Sequence, residues 1–162
     1  MKRKTDKSMD DGMSIIVKVA AYVLAVPITI LGLYIILHGH LTPGGGFPGG
    51  AVIATLTVLF LVAAGKEKAK ALKRDMISFA GGVGLVLFAF FGFIGTGTTF
   101  FFNALANSGS LFGMRIPFGV NPGYMWTAGV IPPMNMAVGL EVAASLSVIA
   151  LVMFVYTMED ER

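Results

Sequence analysis

The sequence predicts an all-α membrane protein of four transmembrane helices, with a Gly/Pro-rich junction after the first and a long apolar loop before the fourth. Three observations predict it. Of 162 residues, 56% are hydrophobic and 13% charged, with a mean hydropathy of +0.80, against about 25% charged residues in soluble globular domains. Long uncharged runs recur, each near the roughly 20 apolar residues that a helix needs to cross hydrocarbon. The cations crowd just outside those runs. The predicted spans are 14–37, 47–65, 76–97 and 134–156, one membrane domain over 14–157 between a polar N-terminal segment at 1–13 and a tail at 158–162.

Cation placement sets the expected topology. Lys2, Arg3, Lys4, Lys7 and Lys18 precede or just enter the first span, and Lys66, Lys68, Lys70, Lys73 and Arg74 lie between the second and third. Arg115 is the one cation between the third and fourth, and the first connection has none. By the positive-inside rule both termini and the 65–75 loop are cytoplasmic, in a multi-pass protein of the cell membrane. The formal charge of +3 therefore reads as a topology signal and a lipid-bilayer contact, with no nucleic acid as partner. The chain has no cysteine, which excludes disulfides, Cys-ligated zinc and Cys-ligated iron–sulfur clusters within it. The first apolar run, 14–37, has no small-residue cleavage pattern and is expected to be a retained span.

In the first helix, Ser14 is the expected cap, and Lys18 lies about one turn inside. It either snorkels to the headgroups or joins an ion path. Pro27, at mid-span, removes a backbone hydrogen bond and predicts a kink, either for packing or to free a carbonyl. The junction follows as HGHLTPGGGFPGG, residues 38–50, where Gly and Pro forbid a continuous helix or strand. Irregular backbone between membrane helices must be buried in protein or reach water. The glycine run lacks the Gly-Lys-Ser/Thr ending of a phosphate loop. Its expected role is shape, with tight turns letting Pro43 and Phe47 wedge between helices.

This junction resembles the signature of the MnhB-type subunit of the Mrp/Mnh multisubunit sodium/proton antiporters. Thr42, Pro43, Gly44, Gly45, Gly46, Phe47, Gly49 and Gly50 match a family core of T-P-G-G-G-F, one variable residue (here Pro48) and two glycines. The four-helix reading of most of the chain is compatible with that family. The resemblance implies a small subunit among other antiporter-module membrane subunits, including large ones related to respiratory complex I. It also implies sodium/proton exchange by the assembly, with sodium ions and protons as transported species and no cofactor in this chain. The same module occurs in membrane-bound hydrogenase and related sulfur-reducing complexes, so hydrogenase or sulfur-reductase subunits are further partners that the resemblance allows.

The second helix is expected to begin near Gly49–Gly50, with Thr55 and Thr57 bonded back to their own helix. Asp75 is the expected cap of the third. That third span carries glycines at 81, 82, 84, 92, 95 and 97, and Ser78 with Gly82 forms a small-xxx-small pair suited to close helix approach. Phe88, Phe90, Phe91 and Phe93 are expected to pack against lipid or a partner. Residues 98–133 are long, nearly uncharged and too apolar for disorder. They predict a partly helical or re-entrant cover packed on the outer side, touching the 38–50 junction or another subunit, with Tyr124 and Trp126 at the outer interface. Pro132–Pro133 suits the start of the fourth helix.

Glu141 is the one acid inside a predicted span. About two turns in from Met134, it sits roughly 10 Å deep, where a charge costs about 2.5 kcal/mol or more unless paired, hydrated or protonated. It shares a face with Ala137, Ala144, Ser145 and Val148. The functional reading is a proton- or cation-relay carboxylate, and the structural reading is a pair with a cation or amide across an interface. His38 and His40 are the chain's two histidines and point to nearly opposite sides, so a shared metal is not expected. His38, still attached to the helix end, is the better relay candidate of the two. With no nucleophile–base pair, metal cluster or cofactor signature, the chain is not expected to be an enzyme by itself. The competing class is a self-sufficient homodimeric proton-coupled exporter of small molecules, against which stand the junction, the long loop and an acid in the last helix.

Overall fold

The computed structural model describes residues 13–65, 69, 72–95, 97–116 and 123–160, the last three without side chains. The polar residues 1–12, the Lys66, Lys68 and Lys70 cluster, residues 117–122 and the last two residues lie outside the described residues. Four helices follow one another: α1 Ile15–Leu37, α2 Gly46–Ala64, α3 Arg74–Phe93 and α4 Ile131–Asp160. All four are long and apolar enough to cross a membrane, α4 over Ile131–Thr157. There is no strand among the described residues.

The helix ends differ from expectation for local reasons. Ser14 holds the cap position of α1 without a side-chain bond, and the helix continues through Pro27. α2 starts at Gly46, ahead of Gly49–Gly50, with Gly45 before it at φ 124°, a conformation open to glycine. Pro48 then falls in the first helical turn, where an amide has no intrahelical acceptor to lose. Lys73, not Asp75, occupies the cap position of α3, and Asp75 sits in the first turn. There it acts through its charge on the helix dipole. α3 stops at Phe93, short of residue 97, because the chain folds back on itself: Phe101 N–H donates to Gly92 O at 3.0 Å. α4 starts at Ile131, so Pro132 and Pro133 lie in its first turn as expected.

α4 is the hub. It packs against α2, α3 and, over a smaller area, α1, while α1 also packs against α2. α3 touches α4 alone among the helices. Glycines bring the backbones together. A Cβ at Gly50 would stand 2.7 Å from Gly139 O, one at Gly49 2.7 Å from Gly32 O, and one at Gly84 2.7 Å from Ala137 O. In hydrocarbon, packing of this kind replaces the hydrophobic drive that joins helices in water. Among the described residues, Leu61, Ala69 and Leu151 form a cluster at the end of the bundle opposite the junction.

The long connection folds as successive turns without a helix of its own among its described residues. Asn103 pins it to the start of α4: its Nδ2 donates to Ala128 O at 2.9 Å, and its Oδ1 accepts from Val130 N–H at 2.9 Å. Phe112 and Trp126 pack ring to ring at 5.1 Å. Phe101, Asn107, Phe112 and Ala128 all have positive φ, so this loop holds side-chain-bearing residues in conformations they rarely adopt.

Candidate functional site

The Gly/Pro junction is a close-packed seat for α4. Residues 38–42 turn over on themselves, with Leu41 and Thr42 N–H both donating to His38 O. Gly39, Gly45 and Gly46 lie against Asn135 in the second turn of α4; Gly39 and Gly46 have no room there for a side chain, and Gly45 is held to glycine by its positive φ. Gly46, Gly49 and Gly50 are buried, whereas Pro43 is exposed and Phe47 is 65% exposed. The wedge expected of Pro43 and Phe47 is therefore absent within this chain. The glycines make the contact, and Phe47 points outward.

The two histidines divide differently from expectation. His38 stacks on Tyr34, with ring centroids 4.2 Å apart, and its Nδ1 lies 3.1 Å from Tyr34 O. His40 is the enclosed one, with both ring nitrogens buried and without a hydrogen-bond partner. Burial holds its pKa below the ordinary 6.5. The backbone of Tyr124 faces the ring and pulls the other way, and His38 adds a smaller lowering. The loop thus reaches the junction at His40.

Glu141 lies on the flank of α4 that faces α3. A Cβ at Gly84 would stand 2.8 Å from Glu141 N, and one at Gly81 3.8 Å from Glu141 O. The earlier start of α4 places Glu141 about 15 Å along the helix from Ile131, deeper than expected from Met134. Its half-buried side chain accepts a hydrogen bond from Ser145 at 2.9 Å, from Ser145 Oγ to Oε1. The carboxyl opens into a groove of about 400 Å³ between α3 and α4, lined by Ser78, Gly81, Gly82, Leu85, Val148 and Ile149 besides Glu141 and Ser145. Such a group can accept a proton or a cation, or pair with a donor brought from outside the chain.

Lys18 lies one turn into α1, partly buried, at the end opposite the junction. Pro27 is in the middle of α1. Glu141, His38 and Lys18 therefore occupy three levels of the bundle and form no single cluster. Two polar features were missed. Asn135 sits under the junction, about 9 Å along α4 from Glu141 by helical rise, and an amide in an otherwise apolar run was its signal. Thr57 and Ser147 bond to each other across α2 and α4 at 2.7 Å, whereas Thr55 bonds back to Val52 O as expected. Nothing in either residue alone announced the pair. No group of three or more His, Cys, Asp or Glu is placed to hold a metal among the described residues.

The family described as "Domain related to MnhB subunit of Na+/H+ antiporter" matches residues 16–148. A protein of Methanocaldococcus jannaschii, named as uncharacterized, is 36% identical over 139 residues, 83% of this chain and 50% of that protein. The B component of the Na(+)/H(+) antiporter of Bacillus subtilis is 32% identical over 73 residues, 45% of this chain and 51% of that protein. The chain thus aligns with about half the length of each of these relatives. Four apolar helices and a family match across them make this a multi-pass membrane protein. The chain belongs to the family of domains related to the MnhB subunit of Na+/H+ antiporters.

Proposed function

We propose that this chain is a small membrane subunit of a multisubunit cation/proton antiporter module that couples sodium and proton movement, and that Glu141 supplies one carboxylate of the ion path. The observation that carries the reading is the Glu141 carboxyl, held at mid-helix by Ser145 and open to a groove that the chain leaves unfilled. A carboxylate at this depth is tolerated when a proton, a cation or a fixed donor neutralises it. Exchange between the first two is the chemistry an antiporter requires. His38, His40 and Lys18 flank this position toward the two ends of the bundle and complete the candidate path. Partner membrane subunits supply the remaining ligands, and the chain performs no bond-making chemistry itself. Both termini face the cytoplasm in this reading.

Gentle detergent extraction followed by mass spectrometry of everything that copurifies identifies the assembly. Antiporter-like subunits alone define a secondary sodium/proton exchanger, and hydrogenase or sulfur-reductase subunits beside them define a redox-driven ion pump. A lone, active homodimer overturns the subunit reading in favour of an exporter. In membrane vesicles holding the intact complex, Glu141→Gln is expected to abolish sodium-dependent proton movement without loss of assembly. Normal transport in that variant reduces Glu141 to a structural role.

A further inference from the structure

We infer that the groove between α3 and α4 seats a transmembrane helix of another subunit, which brings a basic side chain to Glu141. This rests on the assembly reading above and adds the surface and the chemistry of the contact. Glycines that face a neighbouring helix in this chain are filled to contact: Gly49 against α1, Gly46, Gly50 and Gly84 against α4. Among the glycines within the described helices, Gly82 alone faces no neighbour. A Cβ there meets nothing within 4 Å, and the Ser78–Gly82 pair, suited to close helix approach, faces out into the groove. α3 is held by α4 alone among the helices, so both its flanks are open. A small-residue notch of this kind is where a second backbone can approach closely.

The carboxylate selects the occupant. Ser145, from the same helix, is the one hydrogen-bond donor to Glu141 among the described residues, and lipid tails offer no other. A second copy of this chain docked by two-fold symmetry presents the same patch to itself, and that patch carries Glu141 but no basic side chain to meet it. A lysine or arginine on a foreign helix offsets part of the cost of the buried charge. It also keeps the carboxylate ionised between successive proton and sodium occupancies.

The absence of cysteine makes a single introduced one unique. In the native complex, G82C carrying a photoactivatable cross-linker is expected to capture one transmembrane peptide of another subunit, with a Lys or Arg within one helical turn of the captured position. Gly82→Leu, which fills empty space within this chain, is expected to lower recovery of that subunit by about tenfold or more while this chain remains inserted. Capture of lipid only, of a second copy, or of a helix without a basic residue overturns the inference. If partners copurify with the chain yet Gly82 captures lipid alone, this inference fails and the subunit reading stands. If the chain extracts alone as an active homodimer, the subunit reading fails as well.

Discussion

At the scale of single residues, His40 shows how enclosure and charge oppose each other. Its two ring nitrogens are buried without partners, so desolvation disfavours the imidazolium relative to the neutral ring. His38, itself stacked on Tyr34, acts on it from the α1 side, and the Tyr124 backbone from the loop side. No acid among the described residues contributes to the shift of its pKa. That pKa lies below 6.5 in the folded protein, so as pH falls the unfolded chain binds this proton first. Stability supplied by the neutral ring is full above the unfolded value and is lost as pH falls through the folded one. Melting in detergent is therefore expected to occur at lower temperature at pH of about 5 than at about 7.5, and His40→Gln is expected to flatten the difference. An unchanged pH dependence in that variant would assign the effect to other groups. In sequence the two histidines differed only in that His38 stays attached to the helix end, and nothing marked His40 as the enclosed one. The distinction arises from residues some eighty positions later folding over it, which no local pattern reveals.

At the scale of elements, what was legible in sequence depended on whether the cause was local. The four helices were visible because length and apolar composition decide insertion in hydrocarbon. The early start of α2 was not, since it depends on Gly45 taking a positive φ at one position of a flexible run. The third helix carried a glycine signal that did not say which neighbour each face meets: Gly81 and Gly84 pack on α4 while Ser78 and Gly82 face the groove. Periodicity gives a face but not its neighbour. The α2–α4 contact is similar. Gly46 and Gly50 let these helices meet, and only then do Thr57 and Ser147 come within 2.7 Å. A double-mutant cycle of Thr57→Val and Ser147→Ala is expected to give a coupling of about 0.6 kcal/mol, the average for such pairs in membrane proteins. Its measure is the thermal or denaturant stability of the four variants in detergent. A coupling indistinguishable from zero would mean that the helix contact is held by glycine packing alone.

At the scale of the whole molecule, the junction, the long loop and the first turn of α4 form one end, and Met13, Gly65 and Lys73 the other, tied by Met13 N–H to Ala63 O at 3.1 Å. Among the described residues Lys18, Lys73 and Arg74 lie toward that second end, which is the cytoplasmic one in the proposed topology. The consequence for transport is specific. Glu141 lies about 15 Å along α4 from Ile131, near the middle of a hydrocarbon core about 30 Å thick. His40 and Asn135 then stand between it and the outer water, and Lys18 belongs to the inner side. Because the chain has no cysteine, single replacements report sidedness directly. Ser108→Cys, in the exposed loop before α4, is expected to react in intact cells with a maleimide that cannot cross the membrane. Lys73→Cys, at the exposed start of α3, is expected to react only after the cells are opened. The reverse pattern would turn the bundle over and make His40 the inner group of the proposed path. Equal labelling of both in intact cells would show that the four helices do not alternate across the bilayer at all.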